Sequence, residues 1–580
     1  YAIINYRKEW GSVCSVNELL LIDGFSEEAI GKFKHLLDFS IYEKPRRYKF
    51  SDFFKYADFD FLLRLSANNA KLEEYATDDL AKKYLGDRHK LLFKFKYNLD
   101  EKLSMGLVLE KDVGEQLFMS IDDGFRIEHL SGYILWNSKL VSVLVGDYYA
   151  QFGQGLSMWN SLFFDGGIEA ASMLRTQKSI KPKTGGDEVN YLRGLAVNLK
   201  LENLDVVMYV SSRAKDATLN YDETFDSWSF SGFSSSGYHR TFNELGKINA
   251  VGERFFGANA KLSLHKSILS ANFNYVKYSV PYKPKQNFEN ICKYSGMDNI
   301  SYSLSYLSVF DVSYMYGELS LNRDLNPALL MGWYVHANSF FNIDFLFRFI
   351  HDNYHAASFL NSYNSDNETS VSVRVALFPS KALSVNASVE VMKNNWVTSN
   401  KPTVFPASSC KLRVKYVFSS SFFGYVDYSF EDKLSKLNVE SLKLPKYALN
   451  NRHKYRLHLE YSPLDFLTLR SRLDYLFTDD ESGCLVYHDV AFRFDKLFTV
   501  ITRLTCFDTD SYSSRLYSYE NDVLYNFSSP AYYGQGCSVF FLVNCKINRH
   551  LSVWAKLWFV KTFDRITDKL NATVQLRLSL

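Results

Sequence analysis

The sequence lacks long apolar runs. Nowhere in its 580 residues does an unbroken apolar stretch reach the roughly 20 residues that a membrane-spanning helix needs. The mean hydropathy of -0.19 is also too low for a bundle of such helices. Both observations exclude a helical membrane protein as the fold class.

The chain also has few cysteines and little net charge. The seven cysteines are spread from Cys14 to Cys545 without CxxC spacing, which argues against a disulfide scaffold and against a zinc site. The 67 basic and 64 acidic side chains nearly balance, so bulk charge does not point to nucleic acid. We therefore expect no metal and no cofactor.

Aromatic residues, by contrast, are abundant, and apolar residues recur with a period of two. The chain has 40 Tyr and 47 Phe, and alternation begins near residue 59. In 455–461 and 467–475 one face carries Tyr455, Leu457, Leu459, Tyr461, Leu467, Leu469, Leu473 and Tyr475. The other carries Arg456, His458, Glu460, Thr468, Arg470, Arg472 and Asp474. Strands with one apolar face for lipid and one polar face for water are typical of membrane barrels. The pattern therefore predicts an all-β transmembrane barrel.

The connections between these strands are of two kinds. Short turns at 137–138, 379–382 and 462–465 alternate with long polar segments at 214–250, 280–300, 352–368 and 394–408. Short turns at one rim and long loops at the other are typical of bacterial outer-membrane barrels. We predict an even number of roughly 20–26 antiparallel strands, covering residues 59–580.

The first residues follow a different pattern. Ser15 and Glu18 have the spacing of a capping box, and Asp23-Gly24 predicts a turn before a second helix from Glu27 to Leu37. This pattern predicts a small α-helical, helix-hairpin-helix-like module over 1–39. A basic and aromatic linker, 40–58, joins it to the barrel.

Two segments interrupt the alternation, near 110–125 and 147–190. Their glycines and charges favour chain that folds inward, like a plug, over lipid-facing strands. We expect their charged side chains to form an internal network that packs the inward chain. The members of this predicted network are Glu110, Lys111, Asp112, Glu115, Asp147, Glu188 and Arg193.

Three strings in these segments carry a resemblance to a known family. They are EKDxGE at 110–115, GDYxxxFGQGL at 146–156 and ExNYxRG at 188–194, with further matches at Gly317-Glu318-Leu319 and Asn367-Glu368. In this order they resemble Bacteroidetes outer-membrane proteins with N-terminal helix-hairpin-helix repeats, often labelled as related to the competence protein ComEA. The resemblance runs from the hairpin to about residue 370. It implies an outer-membrane barrel with a periplasmic N-terminus, and no settled activity.

The resemblance raises the hypothesis of DNA contact. In DNA-binding hairpins, amides at a Gly-hydrophobic-Gly turn hold a phosphate. Here the turn reads Gly24-Phe25-Ser26, so the second glycine is missing, although Lys32 and Lys34 lie nearby. A docking or capping module is the favoured interpretation, and nucleic acid is the less favoured partner.

A set of charged residues is predicted to face the lumen: Lys411, Arg413, Lys415, Arg456, Glu460, Arg470, Arg472 and Asp474. A basic lumen would select anions. The alternative is that these are ordinary paired ions of a polar barrel interior, with Glu460 and Asp474 as the acids.

The sequence gives no catalytic constellation. His488 and Asp489 are adjacent on a strand and so point to opposite faces, and His351 and His355 lie in a predicted loop. We expect a non-enzymatic conduit or scaffold for transport across, or assembly at, the outer membrane. Its expected contacts are outer-membrane lipid, lipopolysaccharide and periplasmic or outer-membrane proteins. The alternatives are a DNA-uptake protein and a structural subunit of a secretion or envelope complex.

Overall fold

A computed structural model describes most of the chain. The described residues are 19, 22, 25, 51–69, 73–121, 124–160, 167–168, 172–357, 367–397, 404, 406–437, 446–494, 497–563 and 568–580. The chain divides into two units, Tyr1–Ala57 and Asp58–Leu580. The helix-hairpin-helix-like module predicted for 1–39 lies outside the described residues except for Leu19, Ile22 and Phe25. The predicted linker is described only from residue 51, where a short helix, α1, spans Asp52–Lys55.

Strands dominate the second unit. They are β1 (Ala57–Asn68), β2 (His89–Leu99), β3 (Leu103–Lys111), β4 (Phe118–Ile121), β5 (Gly124–Ile127), β6 (His129–Asn137), β7 (Val141–Gln151), β8 (Ser179–Pro182), β9 (Leu192–Lys200), β10 (Leu204–Lys215), β11 (Ala217–Asp222), β12 (Ser227–Phe233), β13 (Val251–Ser263), β14 (Ser267–Tyr282), β15 (Gly296–Val309), β16 (Ser313–Asn322), β17 (Pro327–Asn338), β18 (Phe341–Ile350), β19 (Glu368–Leu377), β20 (Leu383–Lys393), β21 (Ala407–Ser419), β22 (Phe422–Leu437), β23 (Lys446–Leu464), β24 (Leu467–Phe477), β25 (Ser482–Phe494), β26 (Phe498–Thr509), β27 (Leu516–Tyr517), β28 (Ala531–Tyr532), β29 (Gly534–Lys546), β30 (Leu551–Thr562) and β31 (Lys569–Ser579). Short helical turns lie at α2 (Glu73–Ala76), α3 (Phe242–Leu245) and 288–290.

Twenty-four of these strands close into an antiparallel barrel. Each pairs with the next along the ring, and β1 completes it by pairing with β31 on one side and β2 on the other. The seven strands outside the ring are β4, β5, β8, β11, β12, β27 and β28, which belong to its connections. The prediction of a large barrel with an even number of strands is confirmed.

Alternation along the strands separates an apolar outer face from a polar inner one. On β24, Leu473 and Tyr475 are exposed, whereas Arg472 and Asp474, which alternate with them, are buried. The register places Arg456 of β23 beside Asp474, so the polar faces of neighbouring strands lie on the same side of the sheet. An exposed apolar band around a closed sheet suits contact with hydrocarbon, because a closed sheet leaves no unpaired edge.

The two rims differ as predicted. One, the short-turn rim, carries tight turns such as 100–102 and 465–466. The start of β1 and the end of β31 also lie at this rim. The other, the long-loop rim, carries the long connections, among them 112–128, 152–191, 216–250 and 510–533. In the described part of the chain, no helix is long and apolar enough to cross a membrane.

A cysteine pair offers a test of the strand register. Cys506 of β26 lies opposite Cys537 of β29, and their Sγ atoms are 2.8 Å apart. We expect the oxidant diamide to take one hydrogen from each thiol and join the two sulfurs, which mass spectrometry of the digested protein detects. Cys484 and Cys545 face no cysteine in the register and should stay open to alkylation. If Cys506 and Cys537 also stay open, the pairing of β26 with β29 is wrong.

Candidate functional site in the barrel lumen

Residues 151–160, here called the inner segment, leave β7 and fold into the barrel. All ten are buried. The backbone turns at Gly153, where φ is +58° and an added Cβ would lie 2.6 Å from the Glu318 carboxylate. Glycine is therefore required at this turn, and this explains the FGQG string. The inner segment falls within the region 147–190 for which plug-like chain is predicted.

Glu318 of β16 holds the inner segment to a part of the wall six strands along the ring from β7. Its carboxylate accepts hydrogen bonds from the backbone N–H groups of Gln154 (2.6 Å), Leu156 (3.1 Å) and Ser157 (3.4 Å). Tyr354 adds a hydrogen bond from its hydroxyl to the Leu156 carbonyl, at 3.1 Å. A buried carboxylate with several amide donors is well satisfied, so this contact is a strong anchor.

A second stretch of inward chain, residues 510–533, was not predicted. We call it the second inner segment. Arg64 of β1 donates to the Leu524 carbonyl (2.7 Å), and Arg503 of β26 donates to the Tyr519 carbonyl (2.7 Å). Lys556 of β30 pairs with Asp522 at 3.1 Å. These three basic residues lie on the inner faces of their strands, so the segment covers that part of the lumen wall.

The predicted lumen-facing residues lie on strands β21 to β24, on the side away from the neighbouring exposed apolar residues Val414, Val426, Tyr455 and Leu457. The register lines up Arg413, Asp427, Arg456 and Asp474 across these four strands. We call these four residues and Arg472 the arginine ladder. Elsewhere on this face Arg470 pairs with Glu460 at 2.8 Å, and Lys415 lies 4.9 Å from the Phe423 ring centroid.

The arginine ladder carries more base than acid. Arg413 makes two bonds to Asp427 (2.5 and 2.6 Å), while Arg456 and Arg472 both bind Asp474 through two nitrogens. Lys454 approaches Asp474 as well, at 3.6 Å. Together with Lys454 the ladder has four bases and two acids, which leaves a net charge of +2. The ions of this face are therefore paired, with the bases in excess.

Two arginines of the ladder are more exposed than the arginine beneath the second inner segment. The side chains of Arg413 and Arg456 are 14% and 21% exposed, whereas that of Arg503, under the second inner segment, is 3% exposed. Water therefore reaches Arg413 and Arg456 but not Arg503.

At the long-loop rim a buried group of ionisable residues surrounds His239. The His239 ring contacts Glu128 through Nδ1 (2.5 Å) and Asp216 through Nε2 (2.8 Å). Glu115 accepts hydrogen bonds from the backbone N–H groups of His239 (2.9 Å) and Asp112 (2.7 Å). We call Glu115, Glu128, Asp216 and His239 the rim cluster. It borders a cavity of about 350 Å³ that Glu128, Asp216 and His239 line together with Glu188 and Arg213.

The environment of the rim cluster shifts several pKa values. Burial, with the nearby Glu128 charge second, raises the pKa of Glu115 to about 7. Burial lowers the pKa of His239, but hydrogen bonds to Asp216 and Glu128 outweigh it and raise that pKa to about 10. Burial, followed by repulsion from Glu115 and Asp112, raises the pKa of Glu188 to about 9. Burial lowers the pKa of Lys183 to about 8.

The raised pKa of Glu188 gives a testable pH dependence. Between its ordinary pKa of about 4.5 and about 9, the folded protein keeps a proton that the unfolded chain has released, so stability falls as pH rises through this range. Glu188→Gln removes this loss. We expect the variant to melt at a higher temperature than the wild type at pH 9 and at a similar temperature at pH 4.5, measured in detergent with a chelator present.

Glu244 is the matched control for that experiment. Burial raises its pKa, but hydrogen bonds from Arg240 outweigh this and lower it, so Glu244→Gln removes a stabilising charge. Its melting temperature should fall slightly at pH 9. Equal shifts of the same sign in both variants would contradict the assignment of a buried, neutral Glu188.

The predicted charge network divides into four groups. Glu110 and Asp112 share Lys90, and Glu115 belongs to the rim cluster beside Glu188. Lys111 pairs instead with Asp87. Asp147 and Arg193 form a bidentate pair (2.6 and 2.9 Å), with Arg193 on the side of β9 that carries the exposed Leu195. Sequence reasoning missed Glu128, Asp216 and His239, which sit in long connections without a recognisable motif.

The other candidates are placed as follows. Of the predicted nucleic-acid contacts, Gly24, Ser26, Lys32 and Lys34 lie outside the described residues, and the Phe25 amide donates to the Ile22 carbonyl (3.2 Å). His488 contacts Ser471 on the outer face, while Asp489 pairs with Arg503 inside. His355 donates from Nε2 to the Cys292 carbonyl at 2.7 Å, and His351 Nδ1 accepts from the Asn353 amide at 3.2 Å. None of these contacts forms a catalytic triad among the described residues.

Comparison with known proteins gives likeness of structure only. No protein-family model and no curated protein matches the chain. Similar solved structures include the siderophore receptor PirA from Pseudomonas aeruginosa, with 9% identity over 90% of this chain and 80% of that one, at a TM-score of 0.39. A mutant ferric enterobactin receptor, PfeA, from the same organism has 7% identity over the same shares, at 0.43. The translocation pore of the P pilus usher PapC has 8% identity over 90% and 99%, at 0.37.

Proposed function

We propose that this protein is a bacterial outer-membrane barrel that acts as a partly occluded conduit for anionic solutes. The observation that carries the proposal is the contrast along the inner wall. The inner segment and the second inner segment cover parts of it, whereas the arginine ladder keeps water-accessible bases in excess over acids. A water-lined wall with net positive charge favours anions over cations.

The membrane assignment rests on the closed sheet and its exposed apolar outer face. By the usual orientation of such barrels the short-turn rim is periplasmic and the long-loop rim extracellular. Because β1 begins at the short-turn rim, we place the segment before it in the periplasm. The outer face would then contact outer-membrane lipid and, in the outer leaflet, lipopolysaccharide.

A second candidate function is a structural subunit of a secretion or envelope complex. The anchoring of the inner segment by Glu318 favours it, because chain held inside the barrel occupies part of the lumen. DNA uptake, the third hypothesis, depends on residues 1–39 and gains no support from the described residues.

Single-channel conductance in a planar bilayer tests the proposal. We expect the purified full chain to give a small, steady and anion-selective conductance. No conductance from the wild type, and none after the inner segment is released by mutation of Glu318, would overturn the conduit and favour the structural subunit. A cation-selective conductance would overturn the assignment of anionic solutes while leaving the conduit in place.

A further inference from the structure

Three potential metal-ligating side chains converge in the rim cluster. The ring nitrogen of His239 and carboxylate oxygens of Glu115 and Glu128 all lie within 4.8 Å of one another, and all three residues are buried. They come from two connections of the long-loop rim, 112–128 and 216–250. Convergence of buried ligands from separate loops is what a metal site requires, and it is unusual for two carboxylates that would otherwise repel.

Asp216 fixes the orientation of the imidazole. Its Oδ2 lies 2.8 Å from His239 Nε2, while Nδ1 points towards Glu128. A carboxylate on the far nitrogen of a histidine is the usual outer partner of a metal-binding imidazole, because it sets the ring angle and makes the other nitrogen a better ligand.

A second observation is the unused oxygen of Glu128. This residue is 3% exposed, it lines the cavity, and its Oε2 has no hydrogen-bond partner among the described residues. A proton shared between His239 and Glu128 occupies only the other oxygen, Oε1. Leaving a carboxylate oxygen buried without a partner is costly, so this atom points to a ligand.

We propose that Glu115, Glu128 and His239 bind a divalent transition-metal ion of the Zn²⁺ type, with Asp216 as a positioning residue. One imidazole with two carboxylates suits Zn²⁺, whereas Ca²⁺ and Mg²⁺ prefer oxygen ligands alone. Ligand atoms around a tetrahedral ion with bonds of about 2.0 Å lie about 3.3 Å apart, so the 2.5 Å contact of Nδ1 with Oε1 must widen by about 0.8 Å. The ion replaces the proton on Nδ1, which passes to solvent, and ties the two connections together.

Zinc binding to the purified full chain tests this proposal. After treatment with a chelator and its removal, Zn²⁺ is titrated by calorimetry, and metal retained after gel filtration is counted by mass spectrometry. We expect one Zn²⁺ per chain, and a higher melting temperature with Zn²⁺ than without, because an ion that binds only the folded state stabilises it. Glu128→Gln and His239→Gln should abolish binding at this site, and Asp216→Asn should weaken it roughly 10–100-fold.

Two variants keep the result interpretable. Glu115→Gln leaves the contacts of His239 with Glu128 and Asp216 in place but removes a metal ligand, so it should weaken binding without loss of fold. Glu244→Gln removes a carboxylate from the 216–250 connection, which also holds His239, but outside the rim cluster. This variant should bind Zn²⁺ like the wild type. Absence of Zn²⁺ uptake by the wild type would show a salt bridge only and overturn the proposal. Zn²⁺ uptake that Glu115→Gln and His239→Gln leave unchanged would place the ion elsewhere and would also overturn the proposal. Binding of Ca²⁺ that survives in His239→Gln would overturn it too.

Discussion

Glu318→Ala is expected to release the inner segment from β16 and to raise the ionic conductance of the barrel severalfold. The substitution removes the acceptor of three backbone N–H groups, those of Gln154, Leu156 and Ser157. Each hydrogen bond to a charged group contributes about 1.5–3 kcal/mol, and buried donors left unpaired add a further cost. Other contacts of the inner segment remain, since the Ser157 hydroxyl still bonds Ser301 and Asn274, and Phe152 and Met158 stay buried in a hydrophobic cluster. We therefore expect the backbone from Gln154 to Ser157 to loosen from β16 and to widen the water-filled path.

Two measurements check this expectation. Single-channel recording gives the conductance, and hydrogen exchange gives the protection of the amides at 153–158, which should fall sharply in Glu318→Ala. Glu318→Gln keeps the shape of the side chain and one acceptor oxygen, so its effect should be intermediate.

Glu390→Ala is the matched control. Glu390 is a lumen glutamate of β20 whose side chain is 41% exposed and lies 3.8 Å from Arg348. Its loss should leave the exchange at 153–158 unchanged. If Glu318→Ala leaves both exchange and conductance at the wild-type level, the inner segment is not held by this carboxylate, and occlusion of the path by it is wrong.

The barrel could be predicted from the sequence because its signal is local. In β19, Val371, Val373 and Val375 alternate with Ser370, Ser372 and Arg374, and this pattern sets the two faces without any knowledge of neighbours. The same holds for the inner segment, where glycines and polar residues break the alternation within a few positions. The predicted boundary of the barrel at 59 differs from the start of β1 at Ala57 by two residues.

The contacts of the site could not be predicted, because they depend on strand register and ring closure. Glu318 and Gln154 are 164 positions apart, and Arg64 and Gln575 meet only because the last strand closes on the first. The second inner segment gives no local sign of its position, since no glycine occurs from Asp510 to Tyr533 and its tyrosines resemble those of the strands. The rim cluster is missed for a similar reason, as His239 meets Glu128 only through the fold of two separate loops.

The ion selectivity of the path should depend on the arginine ladder. The double variant Arg413→Gln with Arg456→Gln removes two positive charges and lowers the net charge of the ladder and Lys454 from +2 to 0. Asp474 keeps Arg472 and Lys454, and Asp427, which loses both of its arginine partners, is 17% exposed and so open to water. We expect the reversal potential in a salt gradient to shift from anion-selective towards non-selective.

The opposite change sharpens the test. Asp427→Asn raises the same net charge to +3, so anion selectivity should increase. Recordings are best made near 0.1 M salt, where charges act over about 10 Å, since at 1 M that distance falls to about 3 Å and the ladder would be screened.

Lys139→Gln with Lys266→Gln is the control for net charge, because it removes two positive charges from the short turns at 138–140 and 264–266, outside the lumen. Its selectivity should stay close to that of the wild type. Equal shifts in the two double variants would mean that the total charge of the protein sets selectivity. A shift confined to Arg413 and Arg456, and reversed by Asp427→Asn, would mean that permeating anions pass along strands β21 to β24 and are attracted there by bases that water can reach.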